Sequence, residues 1–377
     1  SGGTVTREDL ARMPGRSAAS IASTVGGVQS DANGNITSVR GSRDDATYYY
    51  IDGIKVRGST NLPKSAIEEV SVMTGGVPAN FGDATGGIIS ITTRGASRVY
   101  FGGVEAVSSG FAMNEDVIGF DNNGFNLFEA TLSGPLLMKK DSNGKKTDPI
   151  LGFFVSGNFN HVLDPRPLAG DQYRLRPGMR DSLIDPSLMG PLRPTGFGFG
   201  AYYNTDFLTP NAFEKVNYRQ NVARTRASLA GKIDVNAGPN MNISFGASGA
   251  YSDRNGASWE SSLMNYDNLA NYRDIDWRAY GKFTQRFQNV AEDENSQGGV
   301  KNAYYTIMID YSRTNAVVQD NVHKDNYFNY GHIGTFDIYK TPSYEFSDFD
   351  GNGVLDLVQT GVNDDSIQFT PSASNAD

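Results

Sequence analysis

Residues 36–56 read ITSVRGSRDDATYYYIDGIKV, and residues 62–95 read LPKSAIEEVSVMTGGVPANFGDATGGIISITTRG. Ile67–Met73 and Gly87–Thr93 are rich in Val and Ile, whose branched side chains suit a pleated, half-buried surface. Ile36–Val39 and Tyr48–Ile51 are shorter strand candidates around a polar turn, Gly41–Asp45. Asp52–Gly53 is a turn signal between hydrophobic flanks. Gly75, Gly76, Gly82, Gly86 and Gly87 mark places where this unit turns sharply or approaches a surrounding wall, since glycine accepts positive φ and has no side chain. Upstream, Thr6 or Ser17 caps a short helix, with Glu8 and Asp9 placed to favour a helix N-terminus. Residues 1–97 therefore read as a mixed α/β unit, and on these grounds alone an ordinary small soluble domain fits as well.

After Ser97 the pattern changes to period-two alternation, the mark of a half-buried strand. Met241, Ile243, Phe245, Ala247, Gly249 and Tyr251 share one face, opposite Asn242, Ser244, Gly246, Ser248, Ala250 and Ser252. Ala227, Leu229, Gly231, Ile233 and Val235 alternate with Arg226, Ser228, Ala230, Lys232 and Asp234. The same holds for Trp277–Thr284 and Tyr305–Ser312. Seven strands can be followed: 99–109, 125–133, 150–161, 222–236, 241–253, 275–288 and 303–318. A loop at Asn114–Gly124, a turn at Leu137–Pro149, a long segment Val162–Gln220, a tight turn Ala237–Asn240 and a polar turn Glu292–Lys301 connect them, and everything beyond Gln319 falls on the side of the long loops. In a soluble sandwich the apolar face fills a core. In a membrane barrel it faces lipid and the polar face lines the lumen. Strand lengths near those needed to span at a tilt, aromatics at strand ends and alternating short and long connections favour the barrel.

Composition narrows the classes further. The 377 residues carry a net charge of −9, the opposite of the basic surface from which nucleic-acid recognition starts. There is no cysteine, hence neither a disulfide framework nor thiolate chemistry. No run of 18 or more apolar residues occurs, which removes a transmembrane helix but not a spanning barrel. His161, His323 and His332 lack metal-ligand spacing. No hydrolase elbow, HExxH or P-loop is present, and Gly196–Gly200 (GFGFG) lacks the following helix that a phosphate site needs. The chain reads as a non-enzyme.

The ordered series "RG" at Arg40–Gly41, "IDG" at Ile51–Gly53, "IEEVSV" at Ile67–Val72 and "GGIISITT" at Gly86–Thr93 resembles the plug domain of TonB-dependent outer-membrane receptors. The wording of residues 75–95 is similar to the Bacteroidetes receptors of Oar-like and SusC-like type. The resemblance implies an α+β plug domain (1–97) followed by antiparallel transmembrane β-barrel strands (98–377). Those strands would be the N-terminal portion of a 22-stranded barrel, about the size at which a plug fills the lumen. It implies energy-coupled import at the Gram-negative cell outer membrane, with TonB and inner-membrane motor proteins as partners and outer-membrane lipids around the barrel. A surface lipoprotein, or a protein, peptide or glycan ligand, would then engage the outer face. It assigns Arg40 to plug–barrel contact, pairing with carboxylates of the wall. Where many siderophore receptors have an arginine before Gly–Pro, this chain has Thr74–Gly75–Gly76, a departure that weakens a siderophore assignment. No TonB box is recognisable in residues 1–10, so one is expected upstream.

Asp348, Asp350, Asn352 and Asp356 stand at positions 1, 3, 5 and 9 of a calcium-type loop with Gly353 at position 6. Gln359 takes position 12 in place of the bidentate glutamate. The two readings are a structural calcium ion (Ca2+) in an outer loop and an ordinary Asp/Asn/Gly turn. Phe197, Phe199, Tyr202, Tyr203, Tyr327, Phe328, Tyr330, Phe336, Tyr339 and Tyr344 crowd the two longest outer segments, either to grip a ligand or to pack loop on loop. The substrate is unknown from sequence. Two other functions compete with import: a barrel serving surface adhesion, protein docking or secretion support, and a soluble calcium-dependent β-protein.

Overall fold

Residues 2–93 fold on a five-stranded mixed sheet, ordered β1-β6-β7-β4-β5. Its strands are β1 (Gly2–Thr6), β4 (Tyr48–Ile51), β5 (Ile54–Lys55), β6 (Ile67–Met73) and β7 (Ile88–Thr93), and β2 (Val28–Ser30) pairs separately with β3 (Ile36–Val39). The structure, a computed structural model, describes residues 2–31, 36–43, 46–56, 62–78, 81, 86–113, 116–140, 142, 146–185, 187–194, 201–238, 240–258, 260–287, 303–321, 323–327 and 334–373. Helix α1 (Arg7–Arg12) starts at Thr6, whose backbone N–H donates to Asp9 Oδ2 at 3.2 Å. Helix α2 (Ala18–Ala22) starts at Ser17, whose Oγ accepts from Ser20 N–H at 3.1 Å. Both helix starts were legible from a hydroxyl residue, followed at Thr6 by the acidic Glu8 and Asp9 and at Ser17 by a short apolar run. Strands β1 and β2 were not expected: Gly-rich and polar, they gain strand geometry from pairing with β6 and β3 rather than from a pattern of their own.

Gly87 departs from its expected role at a turn or the barrel wall. A Cβ there would meet Val39 Cγ1 at 2.5 Å, so this glycine lets β3 lie close to the start of β7 inside the plug. Ile21, Ile67, Val70, Val72, Ile89 and Ile91 are fully or almost fully buried in the plug core. Phe154 and Ala230, from strands far along the chain, belong to the same core. The plug is thus packed against the next part of the molecule.

That part is a seven-stranded antiparallel meander ordered β20-β19-β18-β17-β12-β11-β8. Its strands are β8 (Phe101–Ser108), β11 (Phe125–Lys140), β12 (Lys146–Val162), β17 (Arg224–Gly238), β18 (Met241–Asn255), β19 (Asn271–Phe287) and β20 (Ala303–Gln319). Strands β11 and β12 run through most of the expected Leu137–Pro149 turn, because the ladder continues across bulges between Pro135 and Lys140. One register rung joins Val155, Gly231, Ala247, Ala279 and Tyr311. The rung beside it joins Phe154, Lys232, Gly246, Tyr280 and Asp310. The second meets the plug and the first points away from it, leaving Leu132, Val155, Phe159, Leu229, Ile233, Phe245, Trp277, Ile307 and Ile309 exposed. A soluble sandwich would need that apolar face inside. Here the core lies on the opposite side, and the exposed band is what lipid requires. Leu229→Arg, near the middle of β17, is expected to cost about 2–4 kcal/mol in folding into lipid vesicles, read from urea titration.

The connections hold more structure than open loops. Strands β9 (Gly110–Met113) and β10 (Asp116–Gly119) form a hairpin where a loop was expected. Within 162–220, β13 (Gln172–Leu175) pairs with β16 (Phe213–Val216), and helix α3 (Pro177–Ile184) packs Leu183 against Leu175 and Ala212. Buried Asp164 ties this segment down, accepting from Arg219 N–H at 3.0 Å and Arg219 Nη2 at 2.6 Å. Strand β14 (Leu192–Pro194) pairs with β15 (Ala201–Tyr203). Beyond Gln319, β21 (Gly334–Ser347) and β22 (Asp356–Pro371) form a two-stranded sheet of their own, and β22 touches β14 of the other outer segment. The expected polar turn Glu292–Lys301 lies outside the described residues, as do Gly82, Gly196–Gly200, Phe328, Tyr330 and His332.

Candidate functional site

The chemistry of this chain gathers where the plug meets the polar face of the meander. At the centre is Asp52, in the two-residue turn between β4 and β5. Asp52 and Gly53 both hold positive φ, 52° and 87°, the geometry that makes Asp–Gly a hairpin signal. The turn aims a nearly buried carboxylate at the wall. Its Oδ1 accepts from Thr93 N–H at 2.9 Å, and its Oδ2 accepts from the Thr93 hydroxyl at 2.5 Å and from Tyr280 Oη at 2.5 Å. Lys232 Nζ stands 3.9 Å from Oδ1. Two donors therefore belong to the plug, and two partners to a single wall rung, Lys232–Gly246–Tyr280.

Five further residue pairs tie the plug and the segment after it to the wall. Arg16 grips Glu105 with both terminal nitrogens, at 2.5 and 3.1 Å, and this pairing holds the guanidinium pKa above its usual value. Glu129 Oε1 accepts from Ser65 N–H at 2.7 Å, and the Ser65 and Ser156 hydroxyls share a hydrogen bond of 2.5 Å. Asp234 Oδ2 accepts from Ala96 N–H at 3.0 Å, and Ser133 Oγ from Ser97 N–H at 2.9 Å. The connecting segment is therefore clamped where it enters the first strand. Arg94 is buried beside it, over the Phe101 ring at 4.4 Å, and donates to Ser65 O at 3.3 Å. Burial, then the nearby Arg7 charge, depress its pKa, with Glu68 opposing. Arg16→Ala removes a half-exposed pair, so the expected loss is only about 1 kcal/mol, reduced by salt and read as earlier plug release in a denaturant series.

Arg40 lies at the end of β3 with φ 52°, its N–H donating to Gly27 O at 2.7 Å and its side chain exposed. Among the described residues, the wall carboxylates that reach the plug, Glu105, Glu129 and Asp234, are engaged by Arg16, Ser65 and Ala96. Composition offered no cue to Asp52 as the central group. The "IDG" turn marked its position, but its partners lie 180 and 228 residues further along the chain.

Asp348, Asp350 and Asn352 occupy the connection between β21 and β22, and Asp356 is the first residue of β22. Asp348 Oδ2 accepts from Gly353 N–H at 3.0 Å, and Asn352 Oδ1 from Val354 N–H at 2.7 Å, with Gly351 and Gly353 at φ 73° and 81°. Among the described residues no cluster of three or more His, Cys, Asp or Glu side chains is gathered at metal-binding distance. Of the outer aromatics, Tyr202, Tyr203, Tyr327, Tyr339 and Tyr344 are exposed, whereas Phe336 packs on Phe369 with ring centroids 4.5 Å apart.

The family described as the TonB-dependent receptor plug domain matches residues 2–88. A relative, the TonB-dependent transporter Oar of Myxococcus xanthus, is 31% identical over 142 residues, covering 33% of this chain and 13% of that protein. Among solved structures, the alcaligin outer membrane receptor FauA from Bordetella pertussis overlaps 84% of this chain and 39% of its own, with a TM-score of 0.49 at 12% identity. The siderophore receptor PirA from Acinetobacter baumannii overlaps 84% and 48%, with a TM-score of 0.40 at 16% identity. The chain spans 13% of the length of that relative and less than half of these two receptors.

Proposed function

We propose energy-coupled import as the function of this chain, read as a TonB-dependent receptor plug, the family that residues 2–88 match, joined to strands of an outer-membrane β-barrel. A ligand engages the outer segments, TonB pulls from the periplasmic side, and the plug shifts to open a path. The observation that carries this reading is the way the plug is seated. Besides the apolar seam at Phe154 and Ala230, it is held on the inner wall by discrete polar contacts, led by Asp52 on Tyr280 and Lys232, which a modest rearrangement can exchange. The cycle needs no bond chemistry: a ligand and a pulling partner bias a conformational equilibrium.

Exposed Tyr202, Tyr203, Tyr339 and Tyr344 offer ring faces for an extended peptide or a glycan, or for a surface lipoprotein over the mouth. Arg40 belongs to the same proposal, pairing with carboxylates on the wall beyond these seven strands. So does calcium: as a structural ion at Asp348, Asp350, Asn352 and Asp356, it is expected to bind at about millimolar concentration and to protect the β21–β22 hairpin from protease. Asp350→Ala should abolish that protection, and protection unaffected by calcium would remove the ion from the proposal.

The test of import compares cells lacking the full-length receptor with cells lacking TonB, using mass spectrometry of the spent medium. The same compounds should remain unconsumed in both. Altered surface attachment with no difference in consumption would favour the adhesion or docking reading.

A further inference from the structure

A cleft of about 720 Å³ opens between plug and wall, lined by Asp52 and Gly53 on one side and by Lys282, Thr284 and Arg286 of β19 on the other. It lies toward the short turns, since Asn240 of the β17–β18 connection also lines it. β19 runs from the long outer connection toward this end. Its plug-facing residues therefore descend from Tyr280 through Lys282 and Thr284 to Arg286. Successive residues on one face of a strand are about 7 Å apart, so Lys282 is one step below the Asp52 partner Tyr280, and Arg286 about 20 Å below it. Among the described residues neither Lys282 nor Arg286 has an ion-pair partner, whereas Lys232, on the rung above, faces Asp52. The nearest obstacle is flexible: a methyl group added at Gly53 would meet Met308 Cε at 3.3 Å, the far end of a side chain on the Lys282 rung that must swing aside as the tip descends.

We propose that Lys282 and Arg286 are landing residues for Asp52, which steps down the inner wall as the plug is drawn toward the periplasm. This rests on the import reading above. A buried carboxylate stripped of its partners is strongly disfavoured, so a plug pulled off Tyr280 and Lys232 with nothing below would resist the pull. A cation one step down replaces the lost charge before the carboxylate is isolated. Thr93 travels with Asp52 because both its bonds to the carboxylate lie within the plug, so only the two wall contacts must be exchanged. The unpaired cations and the cleft in front of them thereby have one explanation: the space is the destination of the turn.

The test uses the full-length receptor in intact cells, with a single thiol introduced in this cysteine-free stretch and any cysteine elsewhere in the protein replaced by serine. Thr284→Cys lines the cleft and is expected to react with a periplasm-delivered maleimide in cells treated with a protonophore. In energised cells it should be protected several-fold, as the Asp52–Gly53 turn moves in front of it. Lys282→Gln with Arg286→Gln should abolish that protection, read as the ratio of de-energised to energised rates, because loss of two cations beside the thiol slows its reaction in both states. Ala11→Cys, exposed on α1, reports whether the plug responds to energy at all. Altered Ala11→Cys labelling with unaltered Thr284→Cys labelling would overturn the stepping path and leave import standing. Insensitivity of both would overturn the import reading itself.

Discussion

Asp52→Ala is expected to weaken the seating of the plug by about 3–5 kcal/mol, the scale for removing one partner of a buried, hydrogen-bonded charge pair. The loss is large because several groups lose their acceptor together: Thr93 N–H, the Thr93 hydroxyl, Tyr280 Oη and the Lys232 ammonium. In the full-length protein in detergent, hydrogen exchange of β4 and β5 should rise while exchange in the outward-facing meander stays the same. Tyr280→Phe removes one hydrogen bond and leaves the carboxylate its plug donors, so its expected cost is about 1–2 kcal/mol. If Tyr280→Phe loosened β4 and β5 as much as Asp52→Ala, the tyrosine would be the main anchor and Asp52 only a turn residue.

Phe154→Ala should be the second large loss, about 3–5 kcal/mol, as for an aromatic side chain deleted from a packed interior. Phe154 belongs to a barrel strand yet is buried in the plug core with Ile67 and Val70. The cavity would open at the seam, so protease should cut the plug sooner while the barrel resists as before. Phe159, also on β12, faces away from the plug and is exposed to the lipid side. Phe159→Ala should leave plug protection unchanged, since it deletes lipid contact rather than plug packing. Equal effects of the two substitutions would mean that the plug does not draw on the wall for its core.

Much of this was legible in the chain. The strands Ile36–Val39, Tyr48–Ile51 and Ile67–Met73 appear where Val, Ile and Tyr runs stood between turn residues. The caps at Thr6 and Ser17 were visible because capping is local, set by a hydroxyl and its neighbours three residues on. The period-two faces of β17, β18, β19 and β20 came through intact, since the pleat sends alternate residues to opposite sides whatever the strand pairs with. Strands β1 and β2 were illegible for the converse reason: their order comes from a partner, and Gly2–Thr6 carries no alternation to announce it.

The candidate site divides the same way. Asp52–Gly53 could be seen as a turn, and Asp348–Asp356 as an oxygen-rich loop, because both depend on residues a few positions apart. That Asp52 docks on Tyr280 and Lys232, or that Arg16 finds Glu105, required the register of the meander against the plug. Small offsets in that register would have presented other side chains.

By itself the sequence determined two regions, a glycine-punctuated α/β unit and a series of two-faced strands, because turn chemistry and side-chain periodicity are short-range properties. Alternation alone left open whether the apolar faces filled a core or met lipid, and strand and connection lengths favoured lipid without fixing which contacts the other face would make. The tertiary structure decided that. By packing Phe154 and Ala230 into the plug it assigned one face to the interior, and the opposite face, with Leu229, Phe245 and Ile309, was left exposed. A strand can bury only one of its faces against the plug, and that choice depends on contacts between residues far apart in the chain.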